Sequence, residues 1–393
     1  MQLVQLNCCH FVLFAFAEQL GKNFLVRNEF RASTCEYFSD YNKPLGNRRC
    51  GMESYFLQER VNITTELLRN LRLIKIESCV RGNVSDFGFS RDGLLLASTS
   101  TEDTLTIYHC KSGNLANLMM SIRAISSHHS VFTNKLYGTG RVVFNRDATC
   151  CLHSATKSGH GLHLLSIETT SYQGAYEGHT DKVTNLDISP VEDLVVSCSL
   201  DNTVRFWDFR VAGHVGKVDA AGKPAACFDP LGNILAVVFN TQTLLLFDIR
   251  SYGRNNLLRY PLPTQSDGWA SVKFSPNGKF VLLSSFGRLL CQAVLKTGQV
   301  VHSITERANE ETEALEAFYS PDGNFLISGT GDGHVCFFHQ SNAVLASEVA
   351  HDTTFPVKRV QFNPKYCMLA ASCSGMNFWI PQRCVKDSDE DDD

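Results

Sequence analysis

The 393-residue sequence lacks the signatures of an enzyme. It contains no G-x-S-x-G elbow, no Walker phosphate loop and no H-E-x-x-H motif, so no catalytic constellation is expected. Gly138-Thr139-Gly140 and Gly329-Thr330-Gly331 are not followed by a helical pattern, which argues against a nucleotide cradle. Long apolar runs are also missing. Residues 8–17 form a mostly apolar stretch too short to span a bilayer, and no basic residue precedes it as in a secretory signal. Basic charge is not in excess, with 36 Lys and Arg against 40 Asp and Glu and a net charge of −4. Six of the acids crowd the C-terminus (Asp387, Asp389, Glu390, Asp391, Asp392 and Asp393), which leaves a near-neutral body. Direct nucleic-acid binding by charge is therefore not expected. The 15 cysteines include no C-x-x-C pair, and Cys110, Cys198, Cys336 and Cys373 sit inside strand-like runs. That pattern fits free thiols in a reducing compartment better than a disulfide framework or a zinc site. No metal and no cofactor are implied.

What is present is a repeat, clearest at residues 178–208: GHTDKVTNLDISPVEDLVVSCSLDNTVRFWD. Gly178-His179 opens it and Trp207-Asp208 closes it. Three strand-like runs, 183–188, 194–199 and 203–207, are separated by turn-formers at Ser189-Pro190 and Asp201-Asn202. This is the pattern of a WD40 repeat, one four-stranded blade of a β-propeller. In such a blade four polar side chains form a buried hydrogen-bonded relay. Here they are His179, Asp201, Trp207 and a strand serine, Ser197 or Ser199. Each buried group must find a partner or cost roughly 1–3 kcal/mol.

The unit recurs from residue 80 onward. Turns of the Phe-Ser-Pro-Asp-Gly kind place prolines at 190, 230, 276, 321 and 364, with Arg91 in the proline slot of an earlier turn. The spacing is close to the period of about 40–45 residues expected for WD40 blades. The gap from Arg91 to Pro190 holds two units, so a degraded blade is expected at about 121–174. His153, His160 and His163 fall there, with His128-His129 nearby, and read as surface histidines of long loops rather than metal ligands. The count is seven blades. The last one runs out after its third strand, near residues 376–380, so its outer strand must come from elsewhere. The alternating stretch 71–76 (LRLIKI) is the candidate, after one short helix within 53–70. Joining the two chain ends removes an open sheet edge. The expected fold is thus all-β: a seven-bladed WD40 propeller over about 65–383 closed by an N-terminal strand. A poorly ordered extension (1–64) and an acidic disordered tail (384–393) flank it.

The later blades go further. GKPAACFDPLGN (222–233), LLLFDIRS (244–251), NGKFVLLSS (277–285) and above all VQFNPKYCMLAASCSGMNFWIP (360–381) resemble the WD repeat-containing protein 82 family. These are nuclear WD-repeat subunits of COMPASS-type histone H3 lysine-4 methyltransferase complexes. The resemblance covers about residues 65–382. It departs from the family in the first fifty residues, the weak second blade, Val294 and the acidic tail. It implies a non-catalytic adaptor, monomeric within a hetero-complex. It implies as partners a SET-domain methyltransferase complex and the phosphorylated C-terminal repeats of RNA polymerase II, with no membrane. The same family serves phosphatase complexes of transcription termination and RNA 3′-end processing, and the residues do not choose between these.

Two sets of surface residues are candidates for contact. Lys182, Lys223, Lys358 and Arg359 just precede or begin first strands, with Trp269 in another blade, and cations around an aromatic suit a phosphorylated extended peptide. Scattered solvated lysines are the plainer account. Trp207-Asp208-Phe209-Arg210 is echoed by Phe247-Asp248-Ile249-Arg250, and W-D-x-R in consecutive blades resembles the box that docks substrate receptors on a cullin ubiquitin ligase. The plainer account there is a local ion pair in each, Asp208 with Arg210 and Asp248 with Arg250, worth little at a surface.

Overall fold

The structure is a computed structural model, and it describes residues 63–74, 83–110, 131–211, 213–239, 243–251, 256–263, 268–305, 309, 314–350, 355–373 and 375–381. Nearly all of the expected N-terminal extension, the whole acidic tail, and His128-His129 lie outside the described residues.

The described chain opens with α1 (Thr65–Arg69) and β1 (Leu71–Ile74). Thr64 caps the helix, its hydroxyl accepting from the Leu67 amide at 3.2 Å. Seven antiparallel four-stranded sheets follow. Blade 1 is β2 (Val84–Phe89), β3 (Leu95–Ser100), β4 (Thr104–His109) and β5 (Val131–Thr133). Blade 2 is β6 (Val142–Phe144), β7 (Cys150–Ser154), β8 (Leu162–Ser166) and β9 (Tyr172–Tyr176). Blade 3 is β10 (Val183–Ile188), β11 (Leu194–Ser199), β12 (Thr203–Asp208) and β13 (His214–Asp219). Blade 4 is β14 (Ala225–Phe228), β15 (Ile234–Phe239), β16 (Thr243–Asp248) and β17 (Asn256–Pro261). Blade 5 is β18 (Trp269–Phe274), β19 (Phe280–Ser285), β20 (Leu290–Val294) and β21 (Val300–Ile304). Blade 6 is β22 (Ala317–Tyr319), β23 (Phe325–Gly329), β24 (His334–His339) and β25 (Leu345–Ala350). Blade 7 is β26 (Arg359–Phe362), β27 (Leu369–Ser372), β28 (Met376–Pro381) and, from the other end of the chain, β1.

Each innermost strand touches those of both neighbouring blades, and β26 returns to β2, so the sheets form a closed ring. The closing pair is in register at Leu71 with Pro381, Arg72 with Ile380 and Leu73 with Trp379. Ile63, Leu68 and Leu71 bury against blades 6 and 7 and hold the strand in place. The degraded blade begins at Val142, later than sequence spacing suggests, because residues 131–133 form the outer strand of blade 1.

The apolar core follows from continuous burial along the inner strands. Each blade is buried on both faces, so strands such as LVVSCS and FVLLSS carry apolar or small residues throughout. The buried hydrophobics fall into seven clusters, and each main cluster bridges two adjacent blades. Cysteine serves as a small core residue. All nine described cysteines are free thiols, and burial pushes Cys151 up to about 12. The repeated turns are held by their own side chains. In blade 1 the Ser90 hydroxyl donates to Asp92 at 2.6 Å and accepts from the Leu95 amide at 2.8 Å. Gly93 takes φ +71° in that turn, and an added Cβ would lie 2.3 Å from Asn363 Oδ1 of blade 7. The Asn363 amide donates to the Gly93 carbonyl at 2.8 Å, so the turn also ties the closing seam.

Candidate functional site

Antiparallel strands put two sets of connections on each end of the ring. One end carries the turns between second and third strands and the approaches to each first strand. The relay of blade 3 lies there. Trp207 Nε1 donates to Ser197 Oγ at 2.7 Å, and Ser197 Oγ is 2.7 Å from His179 Nε2. His179 Nδ1 is 2.8 Å from Asp201 Oδ2. The Trp207 donor fixes the order of the chain: the Ser197 hydroxyl donates to Nε2, and Nδ1–H donates to the carboxylate. Burial lowers the His179 pKa, so the ring is neutral. Burial alone would raise Asp201, but hydrogen bonds from Thr203, His179 and the Thr180 amide outweigh it and hold the carboxyl at about 2. The strand serine of the relay is therefore Ser197. Ser199 serves the turn instead, donating to the Asp181 carbonyl at 2.7 Å and accepting from the Asp201 amide at 3.1 Å.

A buried ion cluster crosses the axis at the same end. Arg359 Nη1 pairs with Asp86 at 2.7 Å and Glu316 at 3.3 Å, and Arg141 Nη1 pairs with Asp86 at 3.3 Å and also with Glu316. Arg141 leads into blade 2 and Glu316 into blade 6, blades that are not neighbours, so this contact spans the ring. Burial would raise Glu316, but Arg359 and Arg141 dominate and hold it well below the usual carboxylate range. Sequence reading placed Arg359 on the partner-binding face. It lies instead in this cluster, its side chain 11% exposed. Sequence reading missed Asp86, Arg141 and Glu316. Their signal was charge just before or within an apolar first strand.

Trp269 is likewise not on the face. Only 1% exposed, it fills the seam of blades 4 and 5, because an indole at the start of a first strand has more surface to bury against the next blade than to offer water. Lys182, Lys223 and Lys358 are exposed at the approaches to β10, β14 and β26. An aromatic does meet one of these cations: Lys223 Nζ lies 4.8 Å from the ring of Phe286.

The opposite end carries the W-D-x-R residues. Arg210 donates to Asp208 through Nε at 2.9 Å and Nη2 at 2.6 Å, and Arg250 donates to Asp248 through Nε at 3.0 Å and Nη2 at 2.5 Å. Both are local pairs with exposed guanidinium groups.

Blade 2 corrects the reading of surface histidines. His153 and His163 face each other across β7 and β8, 0% and 2% exposed. Tyr137 stacks on His163 at 4.0 Å, and the Tyr172 ring lies 5.7 Å from both imidazoles. Two histidines at the same distance from their turn on paired strands were the signal, and loop composition masked it. Among the described residues no three His, Cys, Asp or Glu side chains are placed to hold a metal ion, and no helix is long and apolar enough to cross a membrane.

A family model described as "WD domain, G-beta repeat" matches residues 170–208 and 309–339, which cover β9 of blade 2 with β10–β12 of blade 3, and β22–β24 of blade 6. WD repeat-containing protein 82 of Drosophila melanogaster is 32% identical over 323 residues, 82% of this chain and 98% of that protein. The chain belongs to the WD repeat-containing protein 82 family. The Set1 complex component swd2 of Schizosaccharomyces pombe is 26% identical, over 81% of this chain and 99% of its own length. The COMPASS component SWD2 of Saccharomyces cerevisiae is 26% identical, over 76% and 91%. The stretch 360–381 lies in β26–β28, the blade that β1 completes.

Proposed function

We propose that this chain is a non-catalytic WD40 scaffold in a COMPASS-type histone H3 lysine-4 methyltransferase complex, and that it links the complex to transcribing RNA polymerase II in the nucleus. The observation that carries the reading is similarity along nearly the whole length of two proteins named as Set1 or COMPASS components. A propeller suits the role because its rigid seams present many loops at once to extended partners. The exposed Lys182, Lys223 and Lys358 are the groups that would meet the phosphorylated polymerase repeats.

Affinity purification of the tagged chain with mass spectrometry tests the assembly. A SET-domain methyltransferase should head the co-purifying proteins. A cullin adaptor or a phosphatase regulator there, with no methyltransferase, would replace this reading with another. Charge reversal of Lys182 and Lys358 together to Glu tests the second half. Binding of a phosphorylated polymerase-repeat peptide should fall about tenfold or more with melting unchanged, and equal affinity would remove these lysines from the contact.

A further inference from the structure

Blade 2 has no Gly-His ahead of its first strand and no Trp-Asp at the end of its third, yet it contains a chain of polar side chains of its own. Asn134 Nδ2 donates to the Tyr172 hydroxyl oxygen at 2.5 Å, and that hydroxyl lies 3.0 Å from His153 Nε2. His153 Nδ1 is 3.3 Å from the Ser154 carbonyl, an acceptor only, so Nδ1 carries the proton and Nε2 accepts from Tyr172. The order Asn134, Tyr172, His153, Ser154 parallels Trp207, Ser197, His179, Asp201 in blade 3. His153 even occupies the same strand position as Ser197, the fourth residue of its blade's second strand.

The two chains end differently. His179 ends on a carboxylate 2.8 Å away, which can balance a second proton on the ring. His153 ends on a backbone carbonyl. A proton added at Nε2 would face a hydroxyl that must reverse its own bond to accept it. The groups around the pair offer little relief. His163 lies 5.7 Å from His153, so two imidazolium ions would repel. No acceptor meets His163 Nε2. Tyr137 and Tyr172 cover the rings, and Cys151 of β7 sits near Tyr172. Glu177, beyond β9, is the carboxylate that favours protonation of His163. Lys157 of the intervening turn is already paired with Asp103 of blade 1.

We infer that blade 2 is a proton-operated latch: protonation of the His153–His163 pair breaks the Asn134–Tyr172–His153 chain and frees β9 and the loop around Tyr137, while blade 3 stays closed. Burial lowers both histidines, His153 to about 4, and it lowers His179 of blade 3 as well, but there the Asp201 carboxylate opposes burial where His153 has only a carbonyl. A histidine lowered in the folded state stabilises it above the ordinary value of 6.5, and that stability is lost as pH falls from there toward about 4.

Hydrogen exchange by mass spectrometry on the full chain at pH 7.4 and pH 5.5, corrected for intrinsic rates, tests the latch. Peptides covering β7, β8 and β9 should lose about tenfold more protection at pH 5.5 than peptides of β10–β12. The double variant His153→Gln/His163→Gln should abolish that difference. Uniform loss across the ring, or a selective loss that persists in the double variant, overturns the inference. If the double variant does not fold, Tyr172→Phe decides. It keeps the ring and removes the hydroxyl that saturates Nε2, so blade 2 should open at higher pH, and an unmoved opening pH rejects the latch.

Discussion

Blades 2 and 3 are adjacent and share a packed seam, in which Leu152, Leu164 and Tyr176 meet Val183, Leu186 and Trp207. They are nonetheless held by different means. Blade 3 is fastened from within, by a relay whose four side chains all come from one repeat. Blade 2 is fastened largely from outside. Arg141 joins it across the axis to Glu316, Lys157 pairs with Asp103 of blade 1, and Arg146 donates to the Val191 carbonyl of blade 3 at 3.0 Å. Arg91 of blade 1 passes it altogether and donates to the Pro190 carbonyl of blade 3. A repeat without the Gly-His and Trp-Asp relay can be retained when its own cations find acceptors on other blades. The cost is that its stability then depends on theirs.

The strongest way to break this comparison is to open the ring. A chain lacking residues 1–78 loses β1, leaving β28 as an uncovered edge, whereas a chain lacking only 1–51 keeps the closing pair. The longer deletion should lower the melting temperature by about 10 °C or more, and blade 2 should lose hydrogen-exchange protection before blade 3. Equal melting of the two chains would disprove closure by β1.

Glu316→Gln comes next. It leaves two half-buried guanidinium groups short of a counter-charge, and unfolding by denaturant should show a loss of about 3 kcal/mol. A loss under about 1 kcal/mol would mean that the cross-axis contact does not hold blade 2.

The single-bond lesions are smaller. Trp207→Phe removes the donor to a fully buried Ser197 and should cost about 2 kcal/mol. Tyr172→Phe at neutral pH removes a hydroxyl from a side chain 42% exposed and should cost about 1 kcal/mol or less. Denaturation midpoints of the two variants side by side measure the difference. If Tyr172→Phe proved the costlier, blade 2 would be the internally locked blade and the contrast would be reversed.

Acid sharpens the contrast by the order of loss. Asp201 is lowered in the folded state, so the stability it contributes is present above its ordinary value of 3.8 and is lost only as pH falls through about 2. The histidines of blade 2 begin to lose theirs near 6.5, and His179 of blade 3 is lowered in the same direction but with Asp201 opposing the burial, so its share is the smaller. Circular dichroism from pH 7 to pH 2 should therefore show an early partial transition before the main one, and a single transition below pH 4 would remove the order.

The sequence by itself determined the blade count, the closing strand and the relay of blade 3. Those features are written in turn residues, alternation, the regular spacing of the repeats and the pairing of Gly-His with Trp-Asp, all legible along the chain. It left Ser197 and Ser199 undecided, because neighbouring strand serines differ only in which one meets a histidine from another loop. Only the tertiary structure put Trp269 in a seam, took Arg359 into the axial cluster with Asp86, Arg141 and Glu316, and buried His153 against His163. Each of those placements rests on contacts between side chains far apart in the chain. No local pattern encodes such a contact, since burial and charge pairing are settled only when the ring closes and residues from separate blades must satisfy one another.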